Sequence, residues 1–284
     1  MNSPELPQSE SARLAALRQY RLLDTPREAA YDAITRLAAQ ICSVPIAIIS
    51  LVDRDRLWFK SVEGWPGVCE IPRHASFCEC AVGAGRRELL EVRDAARDAR
   101  FRSHPLVKDK PNVRFYAGIP LVDAAGHALG TLCVLDTKPG ALSAVQHTAL
   151  NQLAEVVMRL FESRRNDEQR RRVEQAERHF RATFEQAAVG IAHTTFDGRF
   201  IEANGRLCEM TGYAREELMR MTTLELSVPA DRGRYASQYQ EIIDGRREGF
   251  SGEKQWLRKD GTPIWVNRTV SRAGDDGDPQ PYLI

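Results

Sequence analysis

The sequence carries no surplus of charge of either sign. Lys and Arg total 40 against 39 Asp and Glu, a net charge of +1 in 284 residues. Coating nucleic acid or an anionic membrane takes an excess of positive charge, so the chain as a whole is not built for that work. Long apolar runs are missing too. The longest, Val44 to Val52, is too short to span a bilayer and contains Pro45 and Ser50, so no membrane insertion is expected. The opening MNSPELPQSE lacks a basic start followed by an apolar stretch, which argues against a secretory signal. Cysteine is sparse: Cys42, Cys69, Cys78, Cys80, Cys133 and Cys208. With 43% hydrophobic residues the chain can build cores without a disulfide scaffold, and a reducing cytoplasm is the expected setting. What is present is an ordinary globular composition, with 28% charged residues and length enough for two compact domains and a connector.

Local patterns divide the chain. Thr25-Pro26-Arg27-Glu28 reads as a helix start, with Thr25 capping, Pro26 at the first helical position and Glu28 closing a capping box. Ile34, Leu37, Ala38 and Ile41 then mark one helical face. Strands are predicted over 45–52 and 56–62, a loop over 64–72, a short helix over 76–83 and a short strand over 89–92. Two strong strands follow, 113–122 and 128–135, joined by a hairpin at Ala124-Ala125-Gly126-His127. From Ser143 the period turns helical. Leu150, Leu153, Val157 and Leu160 alternate at spacings of three and four, a coiled-coil seam that predicts a parallel homodimer. The run SRRNDEQRRR then reads as a solvated helix face, because Asp167 and Glu168 interrupt its basic charge; nucleic acid is not an expected partner. The seam resumes at Val173, Ala176, Phe180 and Phe184. Leu160 to Val173 falls one residue short of two heptads, which predicts a local change of supercoil.

Beyond Phe180, strands are predicted over 189–195, 199–202, 249–258 and 263–270, and helices over 204–211, 214–219 and 232–243. Asp197-Gly198 and Lys259-Asp260-Gly261-Thr262 are hairpin turns. Gly274-Asp275-Asp276-Gly277-Asp278 reads as a further hairpin loop. Pro281 to Ile284 starts a strand that the chain does not finish. Proteins avoid unpaired sheet edges, so the natural protein is expected to continue.

At this point the residues resemble known families. DARFRSHPLV, VRFYAGIPL and ALGTLCVLD, in that order, are similar to the GAF domains of bacterial signalling proteins, a likeness running from about Arg21 to Glu162. FDGRFIEANGRLCEMTGY, AREEL and RKDGTPIWV, between Phe196 and Ile284, resemble a PAS domain of the S-box type. The resemblance implies an α+β fold, a six-stranded antiparallel sheet and then a five-stranded one, each with flanking helices. The expected division is an N-terminal helical extension at 1–20, a GAF-like domain at 21–142, a connecting helix at 143–179 and a PAS-like domain at 180–284. The order is similar to that of sensors that end in a histidine kinase or a diguanylate cyclase/phosphodiesterase output. Signatures of those outputs are absent from this sequence: no His sits in a phosphoacceptor setting and no Gly-rich phosphate loop follows a strand. These residues are therefore expected to sense and not to catalyse.

Candidate sites are fewer. Cys69, His74, Cys78 and Cys80 form a local set of soft ligands, and Cys69, Cys78 and Cys80 are the candidate redox thiols. Cys-x-Cys is not the usual zinc spacing and no second pair exists, so no metal is expected, and simple packing is the leading alternative. By resemblance, Cys78, Arg114, Phe115, Tyr116, Cys133 and Asp136 lie where GAF domains build a pocket for a small ligand, whose identity the sequence does not give. Phe115 and Tyr116 are equally readable as core residues. A competing reading is a thiol oxidoreductase resembling the free methionine sulfoxide reductases. Bilin is disfavoured because no Cys is followed by His; flavin photochemistry, because Cys208 sits in GRLCEMTGY; and haem, because 232–243 holds no His. Trp256 and Trp265 fall on adjacent strands, one expected in the core and one at an interface.

Overall fold

A computed structural model describes residues 10–83, 88–233, 235–273 and 282–284. The chain divides into two units, 1–171 and 172–284. The first contains α1 (Glu10–Tyr20), α2 (Ala29–Cys42), β1 (Ile46–Val52), β2 (Arg56–Glu63), β3 (Glu70–Pro72), α3 (Phe77–Gly83), β4 (Leu90–Val92), α4 (Pro105–Lys108), β5 (Phe115–Val122) and β6 (Ala128–Asp136). The long helix α5 (Ala144–Glu185) runs from it into the second unit. The strands form a six-stranded antiparallel sheet in the order β3-β2-β1-β6-β5-β4.

Both faces of this sheet are covered, which is why β1 reads IAIISLV without polar alternation. Ala47, Ile49 and Leu51 point to one side, where Leu17, Ala38, Leu150, Val157 and Phe161 of the helices close the core. Ile46, Ile48 and Val52 point to the other, against Phe77, Cys78 and Phe101. The expected seam of α5 is thus largely committed to its own domain: Leu150 and Val157 are fully buried, and Leu153 and Leu160 pack on the same core. A spacing of three and four specifies an apolar stripe but not the surface that covers it, and here the sheet does so. Where α5 starts, Ser143 and Gln146 form a reciprocal box: the Ser143 hydroxyl accepts from the Gln146 amide at 3.3 Å, and the Gln146 side chain accepts from Ser143 N–H at 2.8 Å.

The start of α2 differs from expectation. The helix begins at Ala29, and Glu28 stands at its N-cap position with no side-chain cap hydrogen bond. Its carboxylate instead accepts from Lys60 Nζ and Arg164 Nη1, each at 2.5 Å. Lys60 is an inward residue of β2 with a fully buried side chain, and it also donates to Thr25 Oγ1 at 2.8 Å and Pro26 O at 2.9 Å. A buried ammonium needs these acceptors more than a helix end needs a cap, since water satisfies the helix end.

The second unit holds β7 (Ala192–Thr194), β8 (Phe200–Ala203), α6 (Gly205–Thr211), α7 (Arg215–Leu218), α8 (Ala236–Ile243), β9 (Gly249–Leu257), β10 (Pro263–Ala273) and β11 (Tyr282–Leu283). Its five-stranded antiparallel sheet runs β8-β7-β11-β10-β9. The last residues of the chain therefore lie at the centre of the sheet, between β7 and β10, and not at an edge. The 274–278 loop lies outside the described residues. Asn204, fully buried, joins the end of α5 to this unit. Its side-chain amide donates to Phe184 O at 2.9 Å and Val189 O at 3.0 Å, while its carbonyl accepts from Ile191 N at 2.9 Å and caps α6 at Leu207 N, 3.0 Å away. Next to it, Glu185 accepts from Gly205 N at 2.9 Å and from Arg215 at 2.6 Å.

Candidate sensory sites

Each unit has a cavity between its sheet and its helices. In the first unit, β1, β5, β6 and α3 bring together Ser50, Cys78, Tyr116 and Cys133 under an apolar cover that includes Ile48, Phe59, Trp65 and Leu106. The space is about 20 Å³, room for roughly one water molecule. Cys78 Sγ lies 3.9 Å from Cys133 Sγ. Ser50 Oγ and Tyr116 Oη both donate to Cys78 Sγ, at 3.5 Å each, and Phe77 stacks on the Tyr116 ring with centroids 5.0 Å apart. Tyr116 reaches along its strand over Gly118, where a Cβ would stand 2.1 Å from the phenol oxygen, so only glycine fits there. The hydrogen bond with Cys133, helped by the hydroxyls, holds the Cys78 thiol below its ordinary pKa against the cost of burial, whereas Cys133 is driven well above its own. A negative charge in this pair therefore belongs on Cys78.

Sequence reasoning placed six ligand residues here, and the fold separates them. Cys78, Tyr116 and Cys133 line the cavity. Phe115 points to the opposite face of the sheet and packs in the helix-side core, because neighbours on a strand alternate. Arg114 turns outward and clasps Asp94 with two bonds of 2.7 and 2.8 Å. The Asp136 carboxylate accepts from Lys138 N at 3.1 Å, at the end of β6. The redox candidates are also spread out: Cys78 is buried, while Cys69 and Cys80 are exposed. Among the described residues, no three His, Cys, Asp or Glu side chains come together as metal ligands. Ser50 was not singled out from the sequence. Its hydroxyl inside the apolar run IAIISLV was the legible sign, since a buried hydroxyl needs a partner.

The cavity of the second unit is far larger, about 560 Å³. Apolar side chains such as Ile191, Leu207, Met210, Val266 and Leu283 form most of its wall. Trp256 of β9 and Arg268 of β10 also line it, whereas Trp265 is 67% exposed. Beside them Lys254 is 3% exposed, and burial, with the nearby Arg268 charge, pushes its pKa down to about 8.

Residues 26–162 match the GAF domain family, and residues 178–280 match the PAS fold. The chain is a GAF domain followed by a PAS domain. Over 160 residues, 56% of this chain, it is 39% identical to a cyclic di-GMP phosphodiesterase of Pseudomonas aeruginosa, covering 27% of that protein. Over 116 residues, 40% of this chain, it is 31% identical to a probable diguanylate cyclase of Escherichia coli, covering 10% of it. The chain thus spans a minor part of the relatives it matches. Among solved structures, the GAF domain of an Acinetobacter phosphoenolpyruvate-protein phosphotransferase covers 54% of this chain and 94% of its own, at 18% identity and a TM-score of 0.40. The GAF and PAS domains, with relatives of this kind, support a role in sensory signalling. Among the described residues, no helix is long and apolar enough to cross a membrane.

Proposed function

We propose that the chain is the sensory segment of a bacterial signal-transduction protein. It detects a small ligand, a redox state or a partner and relays the result along α5 to a catalytic output domain of the histidine kinase or diguanylate cyclase/phosphodiesterase type. The observation that carries this reading is α5 itself, a helix of 42 residues shared by the GAF and PAS domains. Its apolar repeat is interrupted between Leu160 and Val173, the kind of irregularity at which a helix can take either of two packings. A ligand then favours one packing by no more than its differential affinity for the two states. Functionally, the chain divides into a GAF sensor over 21–142, a connector over 143–179 and a PAS sensor over 180–284. The homodimer assigned to this helix would use its exposed apolar positions, Val156 at 43% and Val173 at 61% exposure, since Leu150 and Val157 are spent on the GAF core.

Inserting one residue near Asp167 rotates everything beyond it by roughly 100° about the helix axis, and inserting seven restores the phase. In the full-length protein, output activity should be disturbed by the first insertion and largely recovered by the second. Regulation that survives both would reduce α5 to a tether and end this reading.

The thiol pair favours one alternative, a GAF-type thiol oxidoreductase. Cys78 has the lowered pKa and Cys133 the proximity that such chemistry uses. Its signature is turnover of free methionine sulfoxide by the purified chain with a dithiol reductant, lost in Cys78→Ser. If the wild-type chain shows no turnover, the alternative fails.

A further inference from the structure

We propose that the PAS cavity is a binding site for a small organic carboxylate, held by the Nε and Nη2 edge of Arg268 and by Nε1 of Trp256. Three buried donors point to it: Arg268 Nε, Arg268 Nη2 and Trp256 Nε1 have no hydrogen-bond partner among the described residues. Native interiors rarely leave such donors unpaired, and a guanidinium without a counter-charge is the costliest case. Lys254, a buried charge that interacts with Arg268, is of the same sign, and the Asp231 carboxylate, which also interacts with Lys254, accepts from Gln255 N at 2.8 Å.

Arg268 is held as if for use. Its guanidinium lies 5.0 Å from the ring centres of both Tyr235 and Tyr239 and 5.3 Å from that of Phe250, and its third nitrogen, Nη1, donates to Tyr239 Oη. Tyr235 packs over Gly252, the residue opposite Arg268 in the strand register, where a Cβ would meet the ring at 2.6 Å. Glycine there makes room for the aromatic box. The box holds the guanidinium through its ring contacts and Nη1, and leaves Nε and Nη2 as the unpaired donors of a side chain that lines the cavity.

That side is the one this chain uses to hold carboxylates elsewhere. Arg13 grips Glu10 with Nε and Nη2 at 2.8 Å each, Arg100 grips Asp98 at 3.0 and 2.6 Å, and Arg114 grips Asp94 at 2.7 and 2.8 Å. Two parallel N–H groups match two carboxylate oxygens in plane. The protein supplies the fork of Arg268, an indole donor from the adjacent strand β9 that lines the same cavity, and an apolar chamber of about 560 Å³, a volume ordinary for small-molecule sites. The complementary molecule has one carboxylate and an apolar body. The proposal goes beyond the relay reading and does not depend on it, because binding needs no output domain.

The test titrates the intact chain with acetate, hexanoate and phenylacetate, each against its primary amide, and with inorganic phosphate, by calorimetry. Hexanoate or phenylacetate should bind saturably at one site and acetate more weakly. The amides should fall short by about tenfold or more, the scale of a charged hydrogen-bond pair. Arg268→Gln should abolish binding. Arg268→Lys, which keeps the charge but loses the fork, should weaken it by about tenfold, and Trp256→Phe, which removes one neutral donor, by roughly fivefold. The two conservative variants keep the test decisive if the glutamine variant does not fold. Amides that bind as tightly as the acids, binding unchanged in Arg268→Lys, preference for phosphate, or no binding by any of the acids would each overturn the assignment.

Discussion

The GAF and PAS domains both enclose a space between an antiparallel sheet and short helices, yet one space is about 20 Å³ and the other about 560 Å³. The inward residues account for the contrast. In the GAF domain Phe59, Phe77 and Tyr116 fill the space around Ser50, Cys78 and Cys133, and the small polar groups satisfy one another: Ser50 Oγ meets Thr131 Oγ1 at 3.0 Å and Cys78 Sγ at 3.5 Å. In the PAS domain the inward residues include Arg268, Lys254 and Trp256, large donors with too few acceptors around them. A closed polar network stiffens a core, whereas an unclosed one beside open volume asks for an outside partner. Family resemblance directed attention to a GAF ligand. The unpaired donors of Arg268 and Trp256 beside open volume lie on the PAS side, and the GAF space holds a thiol pair.

This comparison can be broken most sharply by truncation. Phe161, fully buried between Tyr20 and Tyr31 at centroid distances of 6.4 and 5.6 Å, closes the helix-side GAF core. Phe161→Ala should cost about 3–5 kcal/mol, read as an early GAF transition in urea denaturation.

Next in size is a pH effect confined to the PAS domain. The folded pKa of Lys254 is lowered to about 8, so between about pH 8 and the ordinary lysine value near 10.5 the unfolded chain binds more protons than the folded one. Stability of the PAS transition should therefore rise with pH across that window, by on the order of 3–4 kcal/mol at most, at roughly 1.4 kcal/mol per pKa unit. Below pH 8 the penalty is fully present. Lys254→Met should remove the slope; a slope that persists would show that another group titrates there.

The smallest effect is expected at Met210, which lines the open PAS cavity. Met210→Ala should cost about 1 kcal/mol or less, because few contacts are lost where volume is already present. If it proved as damaging as Phe161→Ala, the two interiors would be equally packed and the contrast would fail.

Much of this architecture was legible because strand alternation and turn residues are local. Most strands, the hairpin around Gly126 and helices such as α3 and α6 follow from such patterns, whereas the short edge strand β3 lies in the segment read as a loop and the two sheets themselves were expected from the family resemblance. Two readings gave way to one cause, a partner distant in sequence: Glu28 left its cap for Lys60 and Arg164, and the apolar stripe of α5 packs on its own sheet. The sites were harder still. Cys78 meets Cys133, not the nearby Cys80, because residues two apart on a helix face different ways. Arg268 did leave a trace: in Val266-x-Arg268-x-Val270 a cation occupies an inward position between two buried valines.

The Asn204 clasp bears on how such proteins can be cut and rejoined. Because Phe184 O and Glu185 are bound by Asn204, Gly205 and Arg215, the last turn of α5 belongs to the PAS interior and not to the connector. A graft that begins at Val189 would strip away Phe184 O and the Glu185 carboxylate, leaving one N–H of the buried Asn204 amide and the Gly205 N–H without their acceptors. A joint placed in the exposed stretch near Arg172 keeps them. Recombination between genes would meet the same constraint, so exchangeable sensor modules of this design should be inherited with the end of the helix that precedes them.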